Sequence, residues 1–199
     1  SMLKTQKHEA RVDFLLDRGT KLLWSKGYNG TSVNDIVKEA GIPKGSFYFY
    51  FNSKEDFAIK ALKRYFGQLF QPALEILQDS NEPAIKRLRK YYEFRVQVLK
   101  DKFDCKMGCM ASNLGNEMSE HNENIRKTVL EIQSRVKEYI VEVAQEAQHD
   151  GDIDPSVNVP DMIAFIEDAG KGAMVSMKEM RSAYPVDNYL NMIRKLIFK

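Results

Sequence analysis

Apolar residues recur three and four positions apart along almost the whole chain, and nowhere do they alternate with polar ones over a strand's length. That spacing matches the 3.6-residue turn of a helix, whereas a half-buried strand needs a period of two. The expected fold is therefore all-α. In the first stretch Val12, Leu15, Leu16, Gly19, Leu22 and Leu23 share one face, and Gly27 stops it. Val33, Ile36, Val37 and Ala40 form a short second stripe. Thr31 or Ser32 supplies its hydroxyl cap, and Asp35 suits the positive end of the helix. Gly41-Ile42-Pro43 breaks this helix, and a third short one runs from about Pro43 to Tyr50. Ser53 opens a fourth, with Ala58, Ala61, Leu62, Tyr65, Phe66 and Leu69 as its inner face.

Long stripes follow Pro72. Ile85, Leu88, Tyr92, Val96 and Leu99 form one; Ile125, Val129, Ile132, Val136, Ile140, Val143 and Ala147 form the next, closed by the polar turn His149-Asp150-Gly151-Asp152. Val159–Met180 and Val186–Phe198 complete the series. The expected organisation is a three-helix helix-turn-helix head over residues 5–53, joined to a larger helical bundle over residues 54–199.

Net charge is +2, but it is unevenly spread. Residues 1–64 carry 12 Lys/Arg against 7 Asp/Glu, and the remainder 18 against 21. A basic head on a mildly acidic body suits phosphate binding, which is driven by counterion release. A composition of 43% apolar and 29% charged residues fits a folded globular chain. No apolar run approaches the roughly 20 residues that span a bilayer, and the start lacks a signal-peptide stretch. Two cysteines are too few for a disulfide scaffold. These features lead us to expect a cytoplasmic protein with no membrane partner.

An enzyme would need a convergent nucleophile and base, a metal cluster or a phosphate loop. Three scattered histidines and the absence of a G-x-x-x-x-G-K-[ST] run point away from catalysis, and no cofactor is expected. The third helix carries different chemistry. Lys44, Gly45, Ser46, Tyr48 and Tyr50 offer a cation, a bare backbone for close approach, a hydroxyl and two phenols, donors suited to phosphates or base edges. Phe47 and Phe51, four apart, are expected in the core, with Tyr48 on the opposite face. Thr31, Ser32 and Lys54, at the starts of the flanking helices, are candidates for neighbouring phosphates. A helical adaptor that binds protein in place of DNA is the alternative reading.

Gly27-Tyr28, Thr31-Ser32-Val33, Asp35-Ile36, Ala40-Gly41-Ile42, Lys44-Gly45-Ser46-Phe47-Tyr48, Tyr50-Phe51 and Ser53-Lys54-Glu55 together resemble the signature of TetR-type repressors. The resemblance implies an all-helical homodimer that binds a double-stranded DNA operator and is released by a small-molecule inducer. It implies DNA contacts at Lys44, Gly45, Ser46, Tyr48, Tyr50 and Lys54, with Thr31 and Ser32 at the backbone. It also implies a ligand pocket in the C-terminal domain and a dimer interface on the last two long helices. There Met174, Met177, Leu190, Ile193 and Ile197 are the expected apolar surface, and Gly170, Gly172 and Ala173 would admit a close partner helix. Gly19 stands where such proteins commonly carry alanine, and is expected to loosen the first helix by about 1 kcal/mol.

Lys106–Glu117 resembles a subgroup of that family whose stretch reads roughly Gly-Cys-small/apolar-Asn-Leu-Gly-x-Glu. Its members include regulators responsive to reactive electrophiles or small unsaturated acids. Tyr92, Arg95, Cys105, Cys109, Asn113 and Glu117 are accordingly candidate ligand or sensor residues. For Cys105 and Cys109 three readings stay open: inert buried thiols, a sensor thiolate favoured by Lys102 and Lys106, or a metal pair, for which Cys-x-x-x-Cys with His121 is a poor ligand set. Surface salt bridging accounts for Arg95 and Glu117 as readily as a pocket does, and Glu167-Asp168 reads as a pocket edge or a solvated rim, the rim being favoured.

Overall fold

The computed structural model of the chain describes residues 1–103, 117 and 122–198. Among the described residues it contains eight helices and no strand: α1 (Met2–Lys26), α2 (Val33–Ala40), α3 (Lys44–Tyr50), α4 (Lys54–Leu77), α5 (Ala84–Phe103), α6 (Glu123–His149), α7 (Val159–Met180) and α8 (Tyr184–Leu196). None of these is long and apolar enough to cross a membrane. The chain gathers into two compact units, Ser1–Gln68 with Met110–Ile132, and Leu69–Cys109 with Gln133–Lys199.

In the first unit the helix ends follow local chemistry. Gly27 closes α1 at φ 75°, a backbone conformation that glycine adopts without steric cost. Ser32 caps α2 through a full capping box: its hydroxyl accepts from the Asp35 amide, and the Asp35 carboxylate accepts from the Ser32 amide. These bonds hold Asp35 below the usual carboxylate range. Gly41 ends α2 in the left-handed region, and the Ile42 amide reaches back 3.0 Å to the Val37 carbonyl. Ser53 caps α4, accepting from the Asp56 amide at 3.0 Å. The core gathers Leu15, Leu16 and Leu23 of α1, Ile36 and Val37 of α2, Phe47 of α3, Phe51, and Phe57, Ala58, Ala61 and Leu62 of α4.

Two local expectations change here. Gly19 does more than loosen α1, because a Cβ there would lie 2.0 Å from Phe57 Cζ. The missing methyl is the socket for that ring. Pro72 does not end α4, which continues to Leu77. The proline removes only the amide that would pair with the carbonyl of exposed Gln68, while buried Ala73 and Leu77 hold the following turn to the core.

The second unit packs α5, α6 and α7 around Leu77, Leu88, Tyr91, Tyr92, Ile140, Ala144, Ile163 and Ile166. Arg87 is buried with them. Its guanidinium donates to the Glu82 carbonyl (3.0 Å), the Leu77 carbonyl (2.9 Å) and the Glu146 carboxylate (2.7 Å), tying the end of α4 and the following loop to α6. Helix α8 ends at Leu196, short of the expected Phe198. Phe198 instead folds back, its amide on the Ile193 carbonyl and its ring stacked on Tyr92 at 5.7 Å.

The faces of α7 and α8 also correct the sequence reading. Met174, Met177 and Ile193 are buried in the chain's own core, while Phe165, Val175, Met180, Tyr184, Met192 and Leu196 are exposed. Gly170 faces Tyr189 of α8, whose hydroxyl would lie 3.1 Å from an added Cβ, and Gly172 has open space beside it. A stripe that runs nearly all round a helix leaves its two apolar faces unranked.

Candidate nucleic-acid interface

Helix α3 is held from one side by aromatic packing. Phe47 lies 5.2 Å from Phe51 and 5.9 Å from Phe57, centroid to centroid, and Phe51 meets Phe57 edge-on at 5.0 Å. All three rings are essentially inaccessible to solvent. With that face locked, the other is presented outward: Lys44, Gly45 and Tyr48 are exposed. Phe49 is 72% exposed, a cost in water that the chain's own packing does not explain. Sequence reasoning passed over Phe49, although its place beside Tyr48 on a seven-residue helix was the available signal. Gly45 has no atom within 4 Å of a would-be Cβ, so nothing inside the chain requires a glycine there.

The remaining candidates divide. Ser32 is exposed at the start of α2, with its hydroxyl already accepting from Asp35. Ser46 and Tyr50 are half-buried. Thr31 is buried, and its hydroxyl donates to the Gly27 carbonyl at 2.6 Å, holding the α1–α2 turn. Lys54 Nζ donates to the Tyr28 carbonyl at 3.0 Å and sits 4.0 Å from the centre of the Tyr28 ring, a cation–π contact. Burial, and after it the Glu55 carboxylate, pushes the Tyr28 phenol up. Thr31 and Lys54 therefore build the head before they can touch anything outside it.

Three of the proposed ligand residues, Tyr92, Arg95 and Glu117, are among the described ones. Glu117 belongs to the first unit, where its carboxylate accepts from the Asn29 amide at 3.4 Å beside Gly27. Tyr92 and Arg95 belong to the second. Arg95 Nη1 donates to the Tyr91 hydroxyl at 2.8 Å and to Glu167 at 3.1 Å, so its ion pair joins α5 to α7, with Glu167 half-buried and Asp168 exposed. The Tyr91 oxygen, and then Glu167, hold the Arg95 guanidinium firmly protonated. Burial pushes the phenols of Tyr91, Tyr92 and Tyr189 up. Cys105, Cys109 and Asn113 lie outside the described residues, as do Lys106 and His121.

Tyr92 is 2% exposed and its hydroxyl has no hydrogen-bond partner among the described residues. A desolvated, unpaired hydroxyl costs about 1–3 kcal/mol. Tyr92→Phe should therefore raise thermal stability, by about 2–4 °C per kcal/mol recovered. Calorimetry of the two proteins checks this, and a lower melting temperature in the variant would show that the hydroxyl is satisfied.

A basic-sided three-helix head whose second short helix is packed on one face and bare on the other defines a helix-turn-helix DNA-binding regulator. Residues 15–61 match the family described as bacterial regulatory proteins, tetR family, and residues 84–193 match the tetracyclin repressor-like C-terminal domain. The chain belongs to the TetR family of transcriptional regulators. It is 31% identical over 180 residues to the HTH-type transcriptional repressor DhaR of Mycobacterium sp. strain GP1, covering 90% of this chain and 88% of that one. To the HTH-type transcriptional repressor NemR of Escherichia coli it is 32% identical over 130 residues, covering 64% and 63%. Its fold superposes on the crystal structure of reduced E. coli NemR with a TM-score of 0.83, at 24% identity over 94% of this chain and 98% of that one.

Proposed function

We propose that the chain is a homodimeric repressor. Residues 5–53 read a near-palindromic operator, and residues 54–199 provide dimerisation and take up a small-molecule inducer that releases the DNA. The observation that carries this reading is the division of α3 into a locked aromatic face and an exposed face bearing Lys44, Gly45 and Tyr48. A duplex major groove accepts a helix presented in this way. The repressor sign is supported by the relatives named above. Dimerisation is supported by the exposed apolar side chains of α7 and α8, Phe165, Val175, Met180, Tyr184, Met192 and Leu196. Two-fold pairing of such a face sets two heads on two half-sites. Inducer uptake is supported by the unpaired Tyr92 hydroxyl near the charged Arg95–Glu167 pair.

Operators selected from fragmented genomic DNA should bind the native chain, and Lys44→Ala and Tyr48→Ala should each weaken that binding by about 1–3 kcal/mol. Both variants should sediment as the native protein does and melt close to it, since both side chains are exposed and Tyr48 touches the core only edge-on, against Phe47. Unchanged affinity in both would sink the recognition role of α3, and full-affinity binding by a monomer would sink the dimer.

A further inference from the structure

We infer that the first three turns of α1 form, with the far end of α3, a second DNA-contacting surface: a cleft that holds the sugar–phosphate strand flanking the base steps under α3. This inference rests on the DNA-binding reading above and extends it to residues outside the helix-turn-helix. The cleft measures about 580 Å³, and its walls include Lys4, Lys7, His8 and Arg11 of α1 and Phe49 and Tyr50 of α3. Its floor is aromatic. The His8 ring lies 5.7 Å from Phe49 and 5.2 Å from Tyr50, and the last two rings meet edge-on at 5.0 Å.

Three observations identify the occupant as a nucleic-acid backbone. First, the walls are cationic and uncompensated: no ion pair joins Lys4, Lys7 or Arg11 to a carboxylate among the described residues, and all three side chains are exposed. In the same unit Lys60 is paired with Asp56 and Arg64 with Asp13 and Asp17. Second, the spacing fits. Lys4, Lys7 and Arg11 stand at i, i+3 and i+7 on one face of the helix. Seven residues rise about 10 Å, more than the step from one phosphate of a strand to the next, so the row reaches at least two. Third, the cleft is continuous with α3, which supplies both its floor and the exposed Lys44 and Tyr48. An exposed apolar ring flanked by cations matches a strand that alternates apolar sugar faces with charged phosphates.

Phe49 thus has a use for its exposure: its ring carries the deoxyribose side of the strand, and the three cations carry the phosphates. The cations contribute to affinity in a salt-dependent way and to base selectivity hardly at all, whereas Phe49 contributes with little salt dependence.

The test measures affinity for a selected operator, and for a scrambled duplex, as salt is varied. It uses the full chain, the triple variant Lys4→Gln/Lys7→Gln/Arg11→Gln, the single variant Phe49→Ala, and the charge-matched control Lys86→Gln/Arg135→Gln/Lys137→Gln in the second unit. The cleft variant should bind at least about tenfold more weakly near 0.1 M salt, with a log–log salt slope shallower by about 0.9 per lost contact. Its preference for operator over scrambled DNA should be kept. Phe49→Ala should lose affinity at an unchanged slope, and the control should match the native chain. If the native chain binds its operator and the cleft variant shows the same affinity and slope, the cleft faces away from DNA and the inference is overturned while the repressor reading stands. An equal loss in the control overturns it too, since net charge alone then explains the effect. If the native chain selects no DNA, both fall together.

Discussion

Gly19→Ala should destabilise the head by about 2 kcal/mol, although alanine is the better helix former. On propensity alone the change would gain about 1 kcal/mol inside α1. Against that, the new methyl would sit 2.0 Å from Phe57 Cζ and 2.7 Å from Cε1. The ring cannot swing aside, because Phe47 and Phe51 close the space on its other sides. Overpacking of this kind costs about 1–3 kcal/mol, with the upper end apt for a ring so enclosed. Gly67→Ala, at an exposed position inside α4, provides the contrast. An added Cβ there meets nothing within 4 Å, so that variant should be more stable by about 0.5–1 kcal/mol. Urea unfolding of both checks the signs. The contact itself is tested by adding Phe57→Leu, which should cost less in the Gly19→Ala background than in the native one, by at least about 1 kcal/mol. Strictly additive effects would mean that the clash is relieved by backbone movement.

Arg87→Met should lower the stability of the second unit by about 2–4 kcal/mol, the range for removing a buried, multiply bonded charge. Its weight lies in the two carbonyls and not in the ion pair. Leu77 closes α4 and Glu82 precedes α5, and a side chain without donors leaves both oxygens to find water in a dry place. Glu146, by contrast, keeps 53% of its side-chain surface, so its half of the pair is well solvated. Glu146→Gln should therefore cost less than about 1 kcal/mol. Arg87→Lys should recover only part of the loss, since an ammonium cannot reproduce the fork that reaches three acceptors. Denaturant midpoints of the three variants give the ranking, and equal losses for Arg87→Met and Glu146→Gln would assign the effect to the ion pair.

What the sequence made legible was what short-range periodicity encodes. The stripes placed the helices, Gly27 and Gly41 their ends, and Ser32 with Asp35 the capping box, because each depends on residues within a turn or two. The inward aromatic pair of α3 was legible for the same reason: residues four apart share a face. The rest depended on partners distant in the chain. Nothing local tells that Phe57 will fill the gap at Gly19, or that Lys54 will be drawn to the Tyr28 carbonyl 26 positions earlier. Thr31 and Ser32 are both hydroxyls at a helix start; only the fold turned one inward and left the other as the cap. Glu117 meets the α1–α2 turn through the Asn29 amide, 88 positions away in the chain, which no local pattern announces. The cleft beside α3 was missed because its cations precede the recognised motif, where a run of charge reads as ordinary solvated surface.

The six-residue connection from Gly27 to Ser32 is a loop by position only. It is fastened from within by the Thr31 hydroxyl on Gly27, from α4 by Lys54 on Tyr28, and from the far segment by Glu117 on Asn29. Surface loops usually absorb extra residues at small entropic cost. Here each added residue would carry one fastening out of register with its mate, and α2 would lose its bearing on α1. The head therefore tolerates variation in what its outer helix displays far better than variation in the length of this bend. Among regulators built on the same plan, divergence in DNA preference can proceed by exchanging side chains while the spacing from the first helix to the second stays fixed.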